Sequence, residues 1–274
     1  TAVLGARFDH FHADYSSGPT AAAPTKLEFS STDDMFNPRA GLIWDPIHEV
    51  SVYASYSTSS NPSAETFTLS AATENLDPEE NVNYELGAKA QLFDEKLLVT
   101  AAVFRLEKTN ARVPDPGNPT TVTVLDGVTR TDGFEVGVAG SIAKDWNIFA
   151  GYAYMDGEIV DTTNAGNTAG TEGNDSPNCP EHSGSVWLTY NIGWGFDIGG
   201  GLYGKSYSYT NATNLTRLPG YVRFDAGAGW TGKHLYARLN IFNLGDTVYY
   251  DAGSNSYAYP GIPLSGQLTV GATF

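Results

Sequence analysis

The sequence predicts an all-β protein, a transmembrane antiparallel up-and-down β-barrel of which about twelve strands are present. Three observations support this prediction. Apolar and polar residues alternate along segments of about ten residues, which places each set on one face of a strand. Short and long connections alternate along the chain, as turns and loops do on the two rims of bacterial outer-membrane barrels. The last segment alternates up to a final aromatic residue, Phe274.

The alternating pattern is clearest in segment 81–92, where Val82 and Leu86 belong to the apolar set and Glu85 and Lys89 to the polar set. Segments 221–230 and 234–241 repeat this pattern. We expect the polar set to face the lumen and the apolar set to face lipid. The predicted strands, in order along the chain, are 2–14, 36–45, 48–60, 81–93, 96–112, 127–143, 145–160, 181–193, 196–210, 217–231, 234–246 and 263–274.

The connections between these strands fall into two lengths. Short ones are expected at 45–47, 94–95, 144, 193–195 and 231–233, and long ones at about 15–35, 61–80, 113–126, 161–180, 211–216 and 247–262. A soluble β-sandwich also has alternating strands, but it has no reason to keep this order of connections. The order predicts that both chain ends lie at the periplasmic rim and that the long loops lie outside the cell.

Aromatic residues near the strand ends agree with a membrane position. Trp44, Trp146, Trp194 and Trp230 are four of the five tryptophans, and they lie at the predicted short-turn rim. Amphipathic rings prefer the interface between lipid and water, although tryptophan can also stabilise β-turns in a soluble protein. A final aromatic residue on an alternating strand is similar to the signal that delivers outer-membrane barrels to their assembly machinery, and we assign this role to Phe274.

Composition disfavours several other classes of protein. The mean hydropathy of −0.25 is low for a helical membrane protein, and no run of about eighteen apolar residues occurs. The N-terminal residues lack the order of a signal peptide, so any export signal is expected upstream or removed. A formal charge of −16 argues against nucleic acid and anionic membrane surfaces as partners. The single cysteine, Cys179, cannot form an internal disulfide, and the acidic segment around it is expected to be a solvated loop.

Several segments resemble, in order, the barrel of the TonB-dependent siderophore receptors. The matching segments are NPRAGL at 37–42, VYASYS at 52–57, LDPEE at 76–80, NYELGAK at 83–89, FRLEKTN at 104–110, DGFEV at 132–136, GYAY at 151–154, LPGY at 218–221 and NIFNLGD at 240–246. The resemblance covers the chain from about residue 4 to residue 274, and the order of the segments is more specific than any one of them.

The resemblance implies an incomplete barrel. Receptors of this family have about twenty-two strands around an N-terminal plug, so residues 1–274 would be the C-terminal portion of the barrel, without the plug and the first strands. The implied function is uptake of a ferric siderophore across the bacterial outer membrane, energised by TonB through the plug. The siderophore is then a transported ligand rather than a cofactor. The implied partners are TonB, the barrel assembly machinery and outer-membrane lipid.

The resemblance also suggests where the ligand binds, because such receptors hold the chelate from outside with aromatic and basic side chains. The candidates surround the 211–216 loop and occupy the last loop; they are Tyr207, Tyr209, Arg217, Tyr249, Tyr250, Tyr257 and Tyr259. In the alternative interpretation, these tyrosines belong to the aromatic belt at the membrane surface.

Two other functions are alternatives to siderophore uptake. An autonomous twelve-stranded translocator or pore, such as the β-domain of an autotransporter, fits the length and the final aromatic residue. The sequence shows no amphipathic helix ahead of the first strand to thread such a pore. An enzyme is not expected, because no catalytic motif occurs. His10 and His12 share a strand face, but Asp9 and Asp14 do not complete a metal site with them.

Overall fold

β-strands make up most of the chain in a computed structural model, which describes residues 1–19, 25–62, 74, 77–110, 112–114, 122–125, 127–161, 170–254 and 256–273. Within these residues, no helix is long and apolar enough to cross a bilayer. The described strands are β1 (Ala2–Ser17), β2 (Leu27–Ile47), β3 (Val50–Asn61), β4 (Glu79–Leu92), β5 (Leu97–Thr109), β6 (Arg112–Pro114), β7 (Val122–Leu125), β8 (Val128–Ala143), β9 (Trp146–Asp161), β10 (His182–Gly193), β11 (Phe196–Lys205), β12 (Ser208–Tyr209), β13 (Arg217–Leu218), β14 (Tyr221–Thr231), β15 (Leu235–Phe242), β16 (Tyr250–Gly253), β17 (Ala258–Pro260) and β18 (Ser265–Ala272).

Twelve of these strands form a single antiparallel sheet in the order β1-β2-β3-β4-β5-β8-β9-β10-β11-β14-β15-β18. Each strand therefore pairs with the next sheet strand along the chain, which is up-and-down topology. The predicted fold class and the strand count are confirmed. The remaining six strands form three small hairpins inside long connections, β6 with β7, β12 with β13, and β16 with β17. Within the described residues, β1 pairs with β2 alone and β18 with β15 alone, so the sheet has two free edges.

The register of the sheet separates the apolar and polar sets as alternation requires. Leu86 lies in the middle of β4, directly opposite Ala54 and Val103 on the neighbouring strands. Its side chain is 55% exposed, and exposed Leu, Phe and Val residues surround it on the same face. An apolar face of this extent is typical of a surface that contacts lipid.

The other face is polar. It carries a cavity whose wall includes Thr100, Glu135, Ser183 and Tyr203. Glu85 also lies on this face, where its carboxylate accepts a hydrogen bond from the Tyr53 hydroxyl. Polar side chains on one face and apolar side chains on the other are the arrangement of a membrane barrel with a hydrated lumen.

The two rims of the sheet differ as predicted. One rim has turns of two to four residues, at 48–49, 93–96, 144–145, 194–195 and 232–234. Several turn residues take left-handed backbone angles, including Glu95 (φ 63°), Asp145 (φ 65°) and Trp194 (φ 53°), which lets the chain reverse within so few residues. Trp194 is 91% exposed, as expected for a ring at a membrane interface. The strand ends that the long connections join lie at the opposite rim.

Some predicted boundaries were wrong. The strand predicted at 36–45 begins at Leu27, because residues 27–35 continue the ladder opposite β1 despite their polar composition. The first long connection is therefore shorter than expected. The strands predicted at 196–210 and 217–231 leave the sheet after Lys205 and rejoin it at Tyr221. The intervening residues form their own hairpin, in which the Thr210 N–H donates to the Thr216 carbonyl over 2.9 Å.

Candidate functional site at the long-loop rim

The predicted ligand-binding residues lie on two hairpins at the long-loop rim and on the segments that adjoin them. Tyr207, Tyr209 and Arg217 belong to the connection that contains β12 and β13. Tyr250 begins β16, and Tyr257 and Tyr259 lie at its return strand, β17. We call β12 with β13 and residues 206–220 around them the first hairpin. We call β16 with β17, with the described residues 250–254 and 256–260, the second hairpin.

The first hairpin combines aromatic and basic side chains on its exposed surface. The Arg217 guanidinium lies 5.0 Å from the centre of the Tyr207 ring. The Tyr207 and Tyr209 rings meet edge to face, with centroids 5.8 Å apart. Tyr207 and Arg217 are exposed, whereas Tyr209 is half-buried. A cation held on an exposed aromatic ring offers charge and a flat apolar surface to the same ligand.

The second hairpin carries an exposed tyrosine pair. The Tyr257 and Tyr259 rings are 57% and 56% exposed, and their centroids are 5.2 Å apart in an edge-to-face arrangement. A side-chain hydrogen bond to the neighbouring Tyr257 raises the pKa of Tyr259 above its ordinary value, because it stabilises the protonated phenol. The Tyr259 phenol therefore stays neutral near pH 7, and both residues present aromatic faces and hydroxyl groups to solvent. Tyr250, at the start of this hairpin, is half-buried.

Tyr249 differs from the other candidates because it is only 3% exposed. Its ring packs against Tyr221 with centroids 4.2 Å apart. Its hydroxyl accepts hydrogen bonds from Arg223 Nη1 at 2.8 Å and from the Ile262 N–H at 3.2 Å. A Cβ added at Gly261 would overlap the Tyr249 ring, so this position requires a glycine. Tyr249 therefore anchors the last connection to the barrel wall.

A second anchor in the last connection is Asn243, which is fully buried. Its side-chain amide donates to the carbonyls of Thr247 and Ile262, each at 2.9 Å, and its carbonyl accepts from the Thr247 N–H at 2.9 Å. The Asn243 N–H in turn donates to Asp225 on β14 at 2.8 Å. These bonds give a structural role to the NIFNLGD segment, where Asn243 ends the strand and folds the connection back.

Sequence reasoning missed the charged residues beneath these hairpins. Arg223 lies on the polar face of the sheet. It is paired with Asp225 at 2.9 Å, and its guanidinium lies 5.7 Å from the centre of the Tyr203 ring. Lys205 Nζ donates to the Asp251 carbonyl at 2.5 Å, and the Tyr221 hydroxyl donates to the Asp251 carboxylate at 2.7 Å. The signal was present in the alternation of segment 221–230. It identified a polar face but not the partners of Arg223 and Tyr221, which lie 26 and 30 residues away along the chain.

Other expected sites can be located only in part. In the portion of the chain that the structure describes, no three His, Cys, Asp or Glu side chains are arranged to hold a metal ion. His10 is paired with Asp34 at 2.7 Å, and His12 contacts the Thr32 hydroxyl at 2.8 Å. Phe274 lies outside the described residues. Its role in assembly and the ligand-binding role of the seven rim residues stay predictions.

Comparison with known proteins identifies the family to which this chain is similar. The family model described as "TonB dependent receptor-like, beta-barrel" matches residues 1–244. A probable TonB-dependent receptor from Bordetella pertussis, BfrD, is 36% identical over 97% of this chain. The probable TonB-dependent siderophore receptor PiuA of Acinetobacter baumannii is 33% identical over 90% of it.

Solved structures agree with these sequence relatives. The crystal structure of PiuA superposes on 98% of this chain with a TM-score of 0.87 and 32% identity. The closed form of the ferric-catecholate import receptor Fiu from Escherichia coli superposes on 98% with a TM-score of 0.78 and 25% identity. The chain spans 37% and 35% of the lengths of BfrD and PiuA, and about two fifths of the solved receptor chains.

Proposed function

Because this chain belongs to the TonB-dependent receptor family, we propose that residues 1–274 form the C-terminal portion of the barrel of a ferric siderophore receptor. Members of the family are receptors and transporters of the outer membrane rather than enzymes. The free edges of β1 and β18 would pair with the other strands of a barrel of about twenty-two. A plug inside that barrel would connect it to TonB, which supplies the energy for transport.

The observation that carries this proposal is the gathering of exposed aromatic and basic side chains at one rim of the sheet. Tyr207 and Arg217 on the first hairpin and Tyr257 and Tyr259 on the second are exposed at the long-loop rim. We assign ligand contact to these four residues. Half-buried Tyr209 and Tyr250 would flank them, and Tyr249 would support them from below.

The chemistry of these four residues suits an anionic chelate that carries flat rings. Tyrosine faces and edges stack on aromatic groups, and a guanidinium on a ring attracts negative charge. The relatives are consistent with this class, since PiuA is named a siderophore receptor and Fiu a ferric-catecholate import receptor. We therefore propose a ferric catecholate as the ligand class.

The second candidate, an autonomous twelve-stranded pore, requires β1 to pair with β18. The sheet order places them at opposite ends instead. In lipid, every unpaired backbone group of an open edge costs several kcal/mol. The receptor proposal gives both edges partners, and the pore proposal does not.

The proposal is tested by uptake of radioactive iron through the intact receptor in a strain that lacks its own siderophore receptors. Ferric complexes of a tris-catecholate and a tris-hydroxamate are compared in cells with and without TonB. We expect uptake of the tris-catecholate complex in cells with TonB only. Uptake of neither complex, or equal uptake without TonB, would overturn the proposal.

Variants of the rim residues make the test specific. Arg217→Ala and Tyr257→Ala should each weaken binding of the ferric tris-catecholate about 3- to 10-fold, because an exposed cation–π or aromatic contact contributes roughly 0.5–1.5 kcal/mol. Tyr190→Ala, at an exposed tyrosine on β10 near the short-turn rim, is the matched control and should leave binding unchanged. Equal losses in all three variants would show that the rim hairpins do not hold the ligand.

A further inference from the structure

Asn178 connects the two tyrosine hairpins, although it belongs to neither of them. Its backbone N–H donates to the Tyr209 carbonyl on the first hairpin at 2.8 Å. Its side-chain amide forms a reciprocal pair with Gly253 on the second hairpin. Nδ2 donates to the Gly253 carbonyl at 3.0 Å, and Oδ1 accepts from the Gly253 N–H at 2.9 Å. One residue therefore makes three hydrogen bonds to segments 31 and 75 positions away along the chain.

The segment that carries Asn178 is itself fixed to the barrel wall. Residues 173–176 run beside the end of β9, where the Ile159 N–H donates to the Asn174 carbonyl at 2.9 Å. The Ser176 N–H donates to the Gly157 carbonyl at 2.7 Å. The Asn174 side chain adds a bond to the first hairpin, since its amide donates to the Ala212 carbonyl at 2.8 Å. The segment that carries Asn178 is therefore held in place by hydrogen bonds to β9.

The two hairpins also pack against each other at Gly253, the residue to which the Asn178 side chain is hydrogen-bonded. A Cβ added at Gly253 would lie 3.0 Å from Thr210 Cγ2 and 3.4 Å from Leu218 Cδ1, so the first hairpin touches the backbone there. Thr210 and Leu218 are both buried in this contact. A side chain at position 253 would require a neighbour to move by a few tenths of an ångström, and the Gly253 N–H and carbonyl are bonded to the Asn178 amide.

We propose that Asn178 is a positioning residue that joins the two hairpins into one ligand-binding surface. This inference rests on the proposed function, because the surface is the one that we assign to the siderophore. Tyr207 and Arg217 lie on one hairpin, and Tyr257 and Tyr259 lie on the other. A ligand that touches both would otherwise have to order two independent segments, and preorganisation removes that cost.

Asparagine suits this position for two reasons. Its amide supplies the donor and the acceptor that the Gly253 carbonyl and N–H require, whereas aspartate would supply no donor. Its backbone takes a left-handed angle, φ 55°, which asparagine tolerates better than most residues other than glycine. Asn178→Gly therefore removes the side-chain bonds without straining the backbone.

Hydrogen exchange of the intact receptor tests the connection without any ligand. In Asn178→Gly, we expect roughly tenfold faster exchange of protected amides in both hairpins and unchanged exchange in β9 and β14. Asn110→Gly is the matched control, since Asn110 has φ 54° and its amide donates to the Pro78 carbonyl in a different pair of connections. Unchanged exchange in either hairpin, or the same change in Asn110→Gly, would overturn the proposal.

Binding of a ferric tris-catecholate tests the positioning role. In the natural receptor, Tyr207→Ala and Tyr257→Ala each lower the affinity for the complex. The loss in the double variant should differ from the product of the two single losses, because one rigid surface couples the two residues. In the Asn178→Gly background, we expect the affinity loss of the double variant to equal the product of the two single losses. The number of ligands bound per folded receptor should be unchanged. Coupling that persists in Asn178→Gly would overturn the positioning role. A receptor that binds no ferric chelate would overturn the uptake proposal instead, and the exchange data would decide the role of Asn178.

Discussion

The tyrosines of the last connection differ in role because their surroundings differ. Tyr249 and Tyr250 are neighbours in sequence, but Tyr249 is buried against Tyr221 and Arg223, 28 and 26 residues earlier. The sequence identified both as loop aromatics, because residue type and turn composition are local properties. Burial depends on which distant side chains meet, and no local pattern contains that information. The same reason hid Asn178, which lies in an acidic segment that was expected to be only solvated.

The packing of Tyr249 predicts the effect of one added methyl group. In Gly261→Ala, the new Cβ would overlap the buried Tyr249 ring, so the ring would have to move from its packed position. Displacing the ring breaks the bonds that its hydroxyl accepts from Arg223 and Ile262. The loss should destabilise the folded connection by about 1–3 kcal/mol. Hydrogen exchange of residues 248–262 should then be faster by roughly ten- to a hundredfold.

Gly245→Ala is the matched control for this prediction. It lies in the same connection, and its nearest neighbour to an added Cβ, the Thr247 hydroxyl, would be 3.4 Å away. We expect exchange rates in this variant to match those of the natural protein. If both glycines tolerate alanine equally, Tyr249 does not anchor the connection.

Burial also predicts how the single cysteine reacts. Desolvation raises the pKa of Cys179, and the nearby carboxylates of Asp175 and Asp156 raise it further. The thiolate is the reactive form, so alkylation of Cys179 by iodoacetamide should be slow at pH 8. The pH at which the alkylation rate is half-maximal should lie above the ordinary cysteine pKa of about 8.5. Cysteine introduced by Ser256→Cys, at an exposed position, provides the reference. A pH midpoint for Cys179 at or below that of the reference cysteine would contradict the half-buried environment of Cys179.

At the scale of elements, strand existence was easier to predict than strand ends. Alternation identified all twelve sheet strands because each must present one face to lipid and one to the lumen. Residues 27–35 were not predicted as strand because this part of β2 extends beyond the apolar band. The hydrogen-bonded ladder continues there, but there is no lipid contact to impose alternation of apolar and polar residues. The opposite error occurred at 206–210, where the chain leaves the sheet although tyrosine and serine still alternate.

The face assignment of β4 predicts a sharp difference between neighbouring residues. Leu86→Arg would place a charge on the lipid-facing side at the middle of the strand, which should cost about 2–4 kcal/mol. Glu85→Gln, on the opposite face, should be nearly silent, because the amide oxygen can still accept the hydrogen bond from Tyr53. Urea unfolding of the receptor in liposomes measures both changes. Equal tolerance would show that the faces or the membrane setting are wrong.

At the scale of the whole molecule, topology was predictable and assembly was not. The order of short and long connections determines an up-and-down sheet, and tertiary pairing followed it strand by strand. Alternation cannot say whether twelve strands close on themselves, because an even count permits closure. The structure adds the missing information by leaving β1 and β18 at opposite ends of the sheet order.

The free edges predict that residues 1–274 alone will not form a stable barrel. A closed barrel pairs every backbone group, whereas an open sheet of this size leaves two long edges that cost several kcal/mol per unpaired group in lipid. Folded outer-membrane barrels resist SDS at room temperature and shift in gel mobility on boiling. We expect this shift for the intact receptor refolded in detergent or liposomes. Residues 1–274 under the same conditions should show no shift, or should pair edge to edge into oligomers. A monomeric, heat-modifiable species of residues 1–274 would mean that the twelve strands close, and it would restore the autonomous pore as the better function.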